Sequence, residues 1–202
     1  MKAKKSSAAM GRPRSFDMDK ALDSALQVFW QKGYEGTSLS DLTKAMGINR
    51  PSLYAAFGDK GALFRKVLDR YQQGPAGYVR EALKEPTARA VLERLFRSAA
   101  EVSATPGNPK GCLLVQGALA CGNSAEPIRR ELIARRAAGE AGVRRRFQRA
   151  KAEGDLPVNA NPADLARFFV AVLHGMAVEA ASGATRSQLR RIAEIAMRAC
   201  PK

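Results

Sequence analysis

The stretch "TSLSDLTKAMGINRPSLYAAF", residues 37–57, holds two amphipathic runs separated only by Gly47, Ile48 and Asn49. A connection that short keeps the two segments in contact at a steep angle, which restricts the region to a compact helical pair. Ser38 can cap the first helix, Asp41 favours the positive end of its dipole, and Leu39, Leu42, Ala45 and Met46 are expected on its inward face. Gly47 then ends it. Asn49 can cap the second helix, Pro51 suits its first turn, and Leu53 and Phe57, one turn apart, anchor it from inside. At about 100° per residue, Pro51, Ser52, Tyr54 and Ala55 fall away from that anchored side, and Arg50 projects from the helix start.

Helix, three-residue turn, helix is the geometry in which a second helix lies in a DNA major groove with its N-terminal residues at base edges. The outward residues suit that task. Arg50 can bond guanine O6 and N7 bidentately, Ser52 and Tyr54 can donate to phosphate or base, and Pro51 or Ala55 can touch a thymine methyl. A structural helical hairpin with the same residues merely solvated is the alternative, and the spacing favours the DNA reading over it.

The flanking sequence extends the helical pattern. Ala21, Leu22, Ala25, Leu26, Phe29 and Trp30 form one stripe between a capping Asp17 and a terminating Gly33. Asp59 can cap a fourth helix through Leu63, Phe64, Val67, Leu68 and Tyr71, ending at Gly74-Pro75. Further helices are predicted at about 76–85, 88–104, 111–122, 126–153, 162–182 and 186–200. Few runs alternate with a period of two and no fixed-length repeat occurs, so the chain reads as all-α. Residues 165–181 are apolar or small on nearly every side, as in a helix packed on two faces, and Leu189, Ile192, Ala193, Ile195 and Ala196 give the last helix one apolar face.

Charge narrows the partners. Lys and Arg number 34 against 19 Asp and Glu, a formal net charge of +15 with a pI near 10.3. A polyanion is indicated, and the sign alone fits nucleic acid or an anionic membrane surface. The excess is +4 over residues 1–60 (ten basic, six acidic) and +11 over the rest (24 and 13), so it does not locate the site. Residues 1–16 carry Lys2, Lys4, Lys5, Arg12 and Arg14 with no acid, and read as a flexible basic arm. No apolar run approaches about 20 residues and no signal-peptide core opens the chain, so a cytoplasmic protein without a membrane partner is expected. Cys112, Cys121 and Cys200 show no CxxC spacing, and His174 is the one histidine. No metal or other cofactor is expected, and no nucleophile-base arrangement or phosphate loop suggests an enzyme.

The run of residues 11–64, including "ALDSALQVFWQKGYEGTSLSDLTKAMGINRPSLYAAFGDKGALF", resembles the DNA-binding domain of TetR/AcrR-type transcriptional regulators. The resemblance rests on the Phe29 to Gly33 helix end, Gly36-Thr37-Ser38, Leu42, Ala45-Met46-Gly47, Pro51-Ser52-Leu53-Tyr54, Phe57 and Lys60. It implies that Arg50, Pro51, Ser52, Tyr54 and Ala55 stand at recognition-helix positions and that Thr37, Ser38 and Lys60 hold phosphate. Ala55 and Ala56 stand where many relatives carry bulkier side chains, which concentrates base discrimination on Arg50. Gly11-Arg12-Pro13-Arg14 is similar to an AT-hook core, whose arginines enter a narrow minor groove. A solubilising tail is the alternative.

The division that follows is a basic arm at 1–16, a helix-turn-helix domain at 17–60 and a helical ligand-sensing and dimerisation domain at 61–202. The resemblance implies a homodimer joined by the last two helices, a palindromic operator in double-stranded DNA, and repression relieved by a small-molecule effector. A ligand-independent architectural DNA binder is the rival reading. Candidate effector contacts are Cys112, Gln116 and His174. Gln116 is the polar exception in "GCLLVQGALACG", Cys112 would stand at a helix N-terminus that lowers a thiol pKa, and His174 lies on an apolar helix. Inert core roles are open for each, and the basic stretch from Arg129 to Lys151 reads as a solvated helical face, with anionic-ligand binding or an auxiliary DNA contact as the alternative.

Overall fold

A computed structural model describes residues 16–119 and 125–201, with the side chains of Ala118 and Leu119 excepted. Ten helices follow in series among these residues: α1 Met18–Lys32, α2 Leu39–Met46, α3 Arg50–Phe57, α4 Lys60–Gln73, α5 Tyr78–Ala82, α6 Ala88–Ala104, α7 Leu113–Leu119, α8 Glu126–Ala152, α9 Pro162–Ala181 and α10 Arg186–Met197. The fold is all-α, with an N-terminal helix-turn-helix unit followed by a helical C-terminal domain.

Helix starts are set by local side-chain chemistry. Asp17, Ser38, Asn49, Asp59, Thr87, Asn161 and Thr185 each accept a backbone N–H from the first turn they precede. Each cap satisfies a donor that the helix itself leaves orphaned. Gly47 ends α2 at φ 66°, a left-handed conformation costly to residues with a Cβ, and so turns the chain into α3 within three residues.

Two apolar clusters divide the molecule. The first joins Phe29 and Trp30 of α1, Leu42 of α2, Leu53 and Phe57 of α3 and Phe64 and Tyr71 of α4, and extends to Leu113, Ile128 and Leu132 of α7 and α8. The second joins Leu92, Leu95 and Phe96 of α6, Val143 and Phe147 of α8, Phe169 and Met176 of α9 and Leu189 of α10. A boundary at residue 60 falls at the start of α4, yet the apolar face of that helix completes the first cluster. Arg70 near its end pairs with Asp23 at 2.7 Å and Asp19 at 3.3 Å, fastening α4 to α1.

Helix placements agree with the periodicity to within a few residues, and α6 matches its expected span. The predicted helix over 111–122 begins instead at Leu113, and its end lies outside the described residues, as does Cys121. The segment 76–85 contributes only the short α5, closed by turns at 83–85. Ala45 is exposed rather than inward, because Leu42 and Met46 already fill the narrow contact between α2 and α1.

The basic face expected on α8 is only partly solvated. Arg146 is 5% exposed and donates from Nε and Nη2 to the Glu85 carbonyl and from Nη2 to that of Pro86 at 2.8 Å, tying α8 to the turn before α6. Its Nη1 has no hydrogen-bond partner among the described residues. Arg135 is clamped by Asp69, Glu131 and Gln72. Some exposed arginines of the stretch are offset locally, Arg129 and Arg130 by Glu126 and Arg149 by Glu153.

Candidate nucleic-acid interface

α3 presents its N-terminal half outward because its other side is spent on anchorage. Leu53 and Phe57 are buried, and the Asn49 Oδ1 accepts the Ser52 N–H at 2.9 Å. Arg50, Pro51, Tyr54 and Ala55 are exposed, with Tyr54 at 48%, and Ser52 is half-buried. Arg50 has no ion-pair or hydrogen-bond partner among the described residues, so no internal bond must break before it contacts an anion or a base edge. Arg12 and Arg14 lie outside the described residues. The ring of Phe16, the first described residue, sits 6.5 Å from that of Phe57 of α3.

α2, which shares the apolar cluster with α3, is itself fixed to α1 by a closed polar unit. Ser38 Oγ accepts the Asp41 N–H at 3.0 Å, and Asp41 Oδ2 accepts the Ser38 N–H at 2.9 Å and its hydroxyl at 2.8 Å. Lys32 Nζ reaches Asp41 at 2.7 Å from the last turn of α1. Lys32, followed by the Ser38 bonds, holds the Asp41 carboxyl well below the usual carboxylate range. Ser38 remains exposed at a helix N-terminus, where backbone N–H groups favour an anion.

Thr37 corrects its expectation. It is 1% exposed, and its hydroxyl donates to the Gly33 carbonyl at 2.7 Å. That bond satisfies an orphan carbonyl at the end of α1, so the side chain shapes the approach to α2 and offers no hydroxyl to a phosphate. Lys60 is half-buried, with Nζ 4.4 Å from the Tyr34 ring centroid. Burial lowers its pKa and Glu35 partly offsets this.

Behind this unit lies a cavity of about 320 Å³ at the seam between the two apolar clusters, lined from α4 to α9. Tyr71 and Leu114 reach it from the first cluster, and Leu95, Val143, Val170 and Met176 from the second. His174 and Cys112 both line it. Burial lowers the His174 pKa first, and Arg136 lowers it further against the opposing pull of Glu140. Cys112 immediately precedes α7, contacting the Tyr71 hydroxyl, and burial followed by this thiol raises the Tyr71 pKa. Gln116 corrects its expectation: Nε2 turns back to the Lys110 carbonyl at 3.2 Å and the residue is not part of the lining.

Sequence reasoning missed the link between the cavity and the helix-turn-helix unit. Trp30 Nε1 of α1 donates to the Gly111 carbonyl at 3.1 Å in the interior, and its ring meets Tyr71 edge-on at 4.9 Å. Tyr71 in turn accepts the Leu113 N–H. Residues 111–113 are thus held from the DNA side by Trp30 and Tyr71, while Gly111, Cys112 and Tyr71 form part of the cavity wall. The apolar periodicity of α1 marked Trp30 as inward; nothing local marked its N–H, whose partner is 81 residues away.

Fold and site together define a helix-turn-helix protein with a hollow helical domain. The model for "Bacterial regulatory proteins, tetR family" matches residues 21–67, and that for "Tetracyclin repressor-like, C-terminal domain" matches residues 86–196. The chain is 34% identical over 194 residues to the HTH-type transcriptional repressor ComR of Escherichia coli K12, covering 95% of this chain and 92% of that one. It is 38% identical over 119 residues to the HTH-type transcriptional repressor BdcR of the same organism, covering 58% and 60%. The TetR family transcriptional regulator CifR, solved as a cysteine mutant with 26-bp double-strand operator DNA, superposes with a TM-score of 0.90 at 41% identity, covering 94% and 100%. The chain belongs to the TetR family of bacterial transcriptional regulators. Proteins of this family are DNA-binding regulators rather than enzymes. Among the described residues no helix is long and apolar enough to cross a membrane.

Proposed function

We propose that this chain is a ligand-responsive repressor that binds a palindromic operator as a homodimer, with Arg50 the principal reader of base identity. Arg50, exposed at the capped and anchored start of α3 and without a partner among the described residues, carries the reading. Pro51, Ser52, Tyr54 and Ala55 supply shorter-range contacts, while Ser38 and Lys60 hold phosphate, with Arg12 and Arg14 of the arm reaching the minor groove. Thr37 acts through the position of Ser38.

Dimerisation is assigned to α9 and α10. On α9 Phe168, Ala171, Gly175 and Val178 share one exposed stripe, with Phe168 at 45%, and Ile195 of α10 is 63% exposed. An apolar face left open on two adjacent helices suits an isologous four-helix interface. Ile195→Glu is expected to yield a monomer in sedimentation and to weaken operator binding; an unchanged dimer would remove α10 from the interface.

The decisive measurement is mobility shift on DNA from upstream of the protein's own gene, against random duplex at matched salt. Arg50→Ala is expected to lose about 1–3 kcal/mol on the specific site and little on random DNA. Equal, salt-sensitive affinity of the wild type for both duplexes would instead identify an architectural binder.

A further inference from the structure

The cavity's charge pattern narrows the ligand it was built to take. Its volume, about 320 Å³, equals roughly ten water-sized groups, enough for a ligand of about ten non-hydrogen atoms. Much of the wall is aliphatic, from Leu83, Leu95, Val143, Val170, Leu173 and Met176. A body of that size must be largely apolar to gain from entering.

Ionic groups in the lining are unequal. Four arginines, Arg80, Arg135, Arg136 and Arg145, stand against one carboxylate, Glu140. Arg135 is neutralised by Asp69 and Glu131, Arg80 lies 3.5 Å from Glu81, and Glu140 itself pairs with Arg167 at 3.7 Å. Arg136 and Arg145 have no acidic partner among the described residues. Arg145 is exposed, whereas Arg136 is half-buried and interacts with His174 across the α8–α9 contact. The Tyr78 hydroxyl and the His174 ring, both on the wall, also have no hydrogen-bond partner among the described residues. A guanidinium fork, a phenol and an imidazole therefore stand unsatisfied around an apolar space.

Resting on the reading of this cavity as an effector site, we propose that its ligand is a small monocarboxylate with an apolar body, held by the Arg136 guanidinium with Tyr78 and His174 as hydrogen-bond partners. One unmatched inner cation suits a monoanion, whereas a phosphate dianion would require more positive charge than this end provides. An amine would meet unopposed arginines, and its one potential carboxylate partner is already paired with Arg167.

The test uses two matched series on the full-length dimer: 3-phenylpropionate, 3-phenylpropanol and 3-phenylpropylamine, and octanoate, octanol and octylamine. Calorimetry and thermal shift measure binding, and mobility shift on the operator measures release. In at least one series the acid is expected to bind about tenfold or more tightly than the alcohol, with the amine weakest. Arg136→Gln should bring the acid to the level of the alcohol while the alcohol still binds, and Arg136→Lys should keep the acid ahead. An alcohol or amine matching the acid, or an acid preference surviving Arg136→Gln, overturns the proposal. So does absence of binding in both series. Release of operator by the neutral or cationic members would leave ligand-responsive repression standing with a different ligand class, whereas acid binding that leaves operator affinity unchanged would count against the effector role while leaving the ligand class intact.

Discussion

Trp30→Phe tests whether the cavity wall and the helix-turn-helix unit are one mechanical body. Trp30 is 2% exposed, and its indole N–H is bonded to the Gly111 carbonyl 3.1 Å away. Phenylalanine keeps an aromatic ring against Tyr71 but removes the donor, leaving a buried carbonyl that costs about 1–3 kcal/mol when unpaired. The smaller ring forfeits about 1 kcal/mol more in packing. The expected loss is therefore about 2–4 kcal/mol, a fall of about 1 M in urea midpoint if the slope is near 3 kcal/mol/M. Circular dichroism at fixed protein concentration measures it, since the substitution removes the chain's only tryptophan. The same variant should bind operator with a weaker response to any cavity ligand, because the wall and α1 would no longer share that bond. A midpoint within about 0.2 M of wild type, together with an unaltered ligand response, would show that the bond neither stabilises nor couples.

Other perturbations address separate parts of the structure. Gly111→Ala must adopt φ 85° and place its Cβ 2.9 Å from the Ala177 carbonyl oxygen, so it should cost about 2–4 kcal/mol by urea denaturation. Asp41→Asn should lower the thermal midpoint at neutral pH. Because the folded-state pKa of Asp41 lies below its unfolded value near 3.9, the stabilisation is complete above that value and is lost as pH falls further toward the folded pKa. The gap between wild type and Asp41→Asn should accordingly close in thermal melts taken below about pH 4, and a gap that persists would assign the effect to geometry rather than charge.

Whatever depends on neighbours within a turn or two is legible in the residues alone. Ser38 with Asp41, Asn49 before Pro51, and Asp17 opposite Gly33 specify helix ends through bonds spanning two to four residues, and apolar spacing specifies which face turns inward. The all-α class and the outward set on α3 follow from those terms alone. Tertiary structure decided the rest, because the competing partners come from distant segments. Thr37 and Ser38 are adjacent polar residues, yet Thr37 is buried against the end of α1 while Ser38 faces solvent. Arg146 and Arg145 are adjacent cations, yet one is buried against the turn at 85–86 and the other borders the cavity. Gln116 turned away from the space it was expected to line because the Lys110 carbonyl was within reach. The cavity itself exists only where helices from both clusters meet without filling the seam, and the Trp30 to Gly111 bond joins it to α1 across 81 residues. Such features arise from which long-range contacts satisfy a buried polar group, a choice that helical periodicity does not encode.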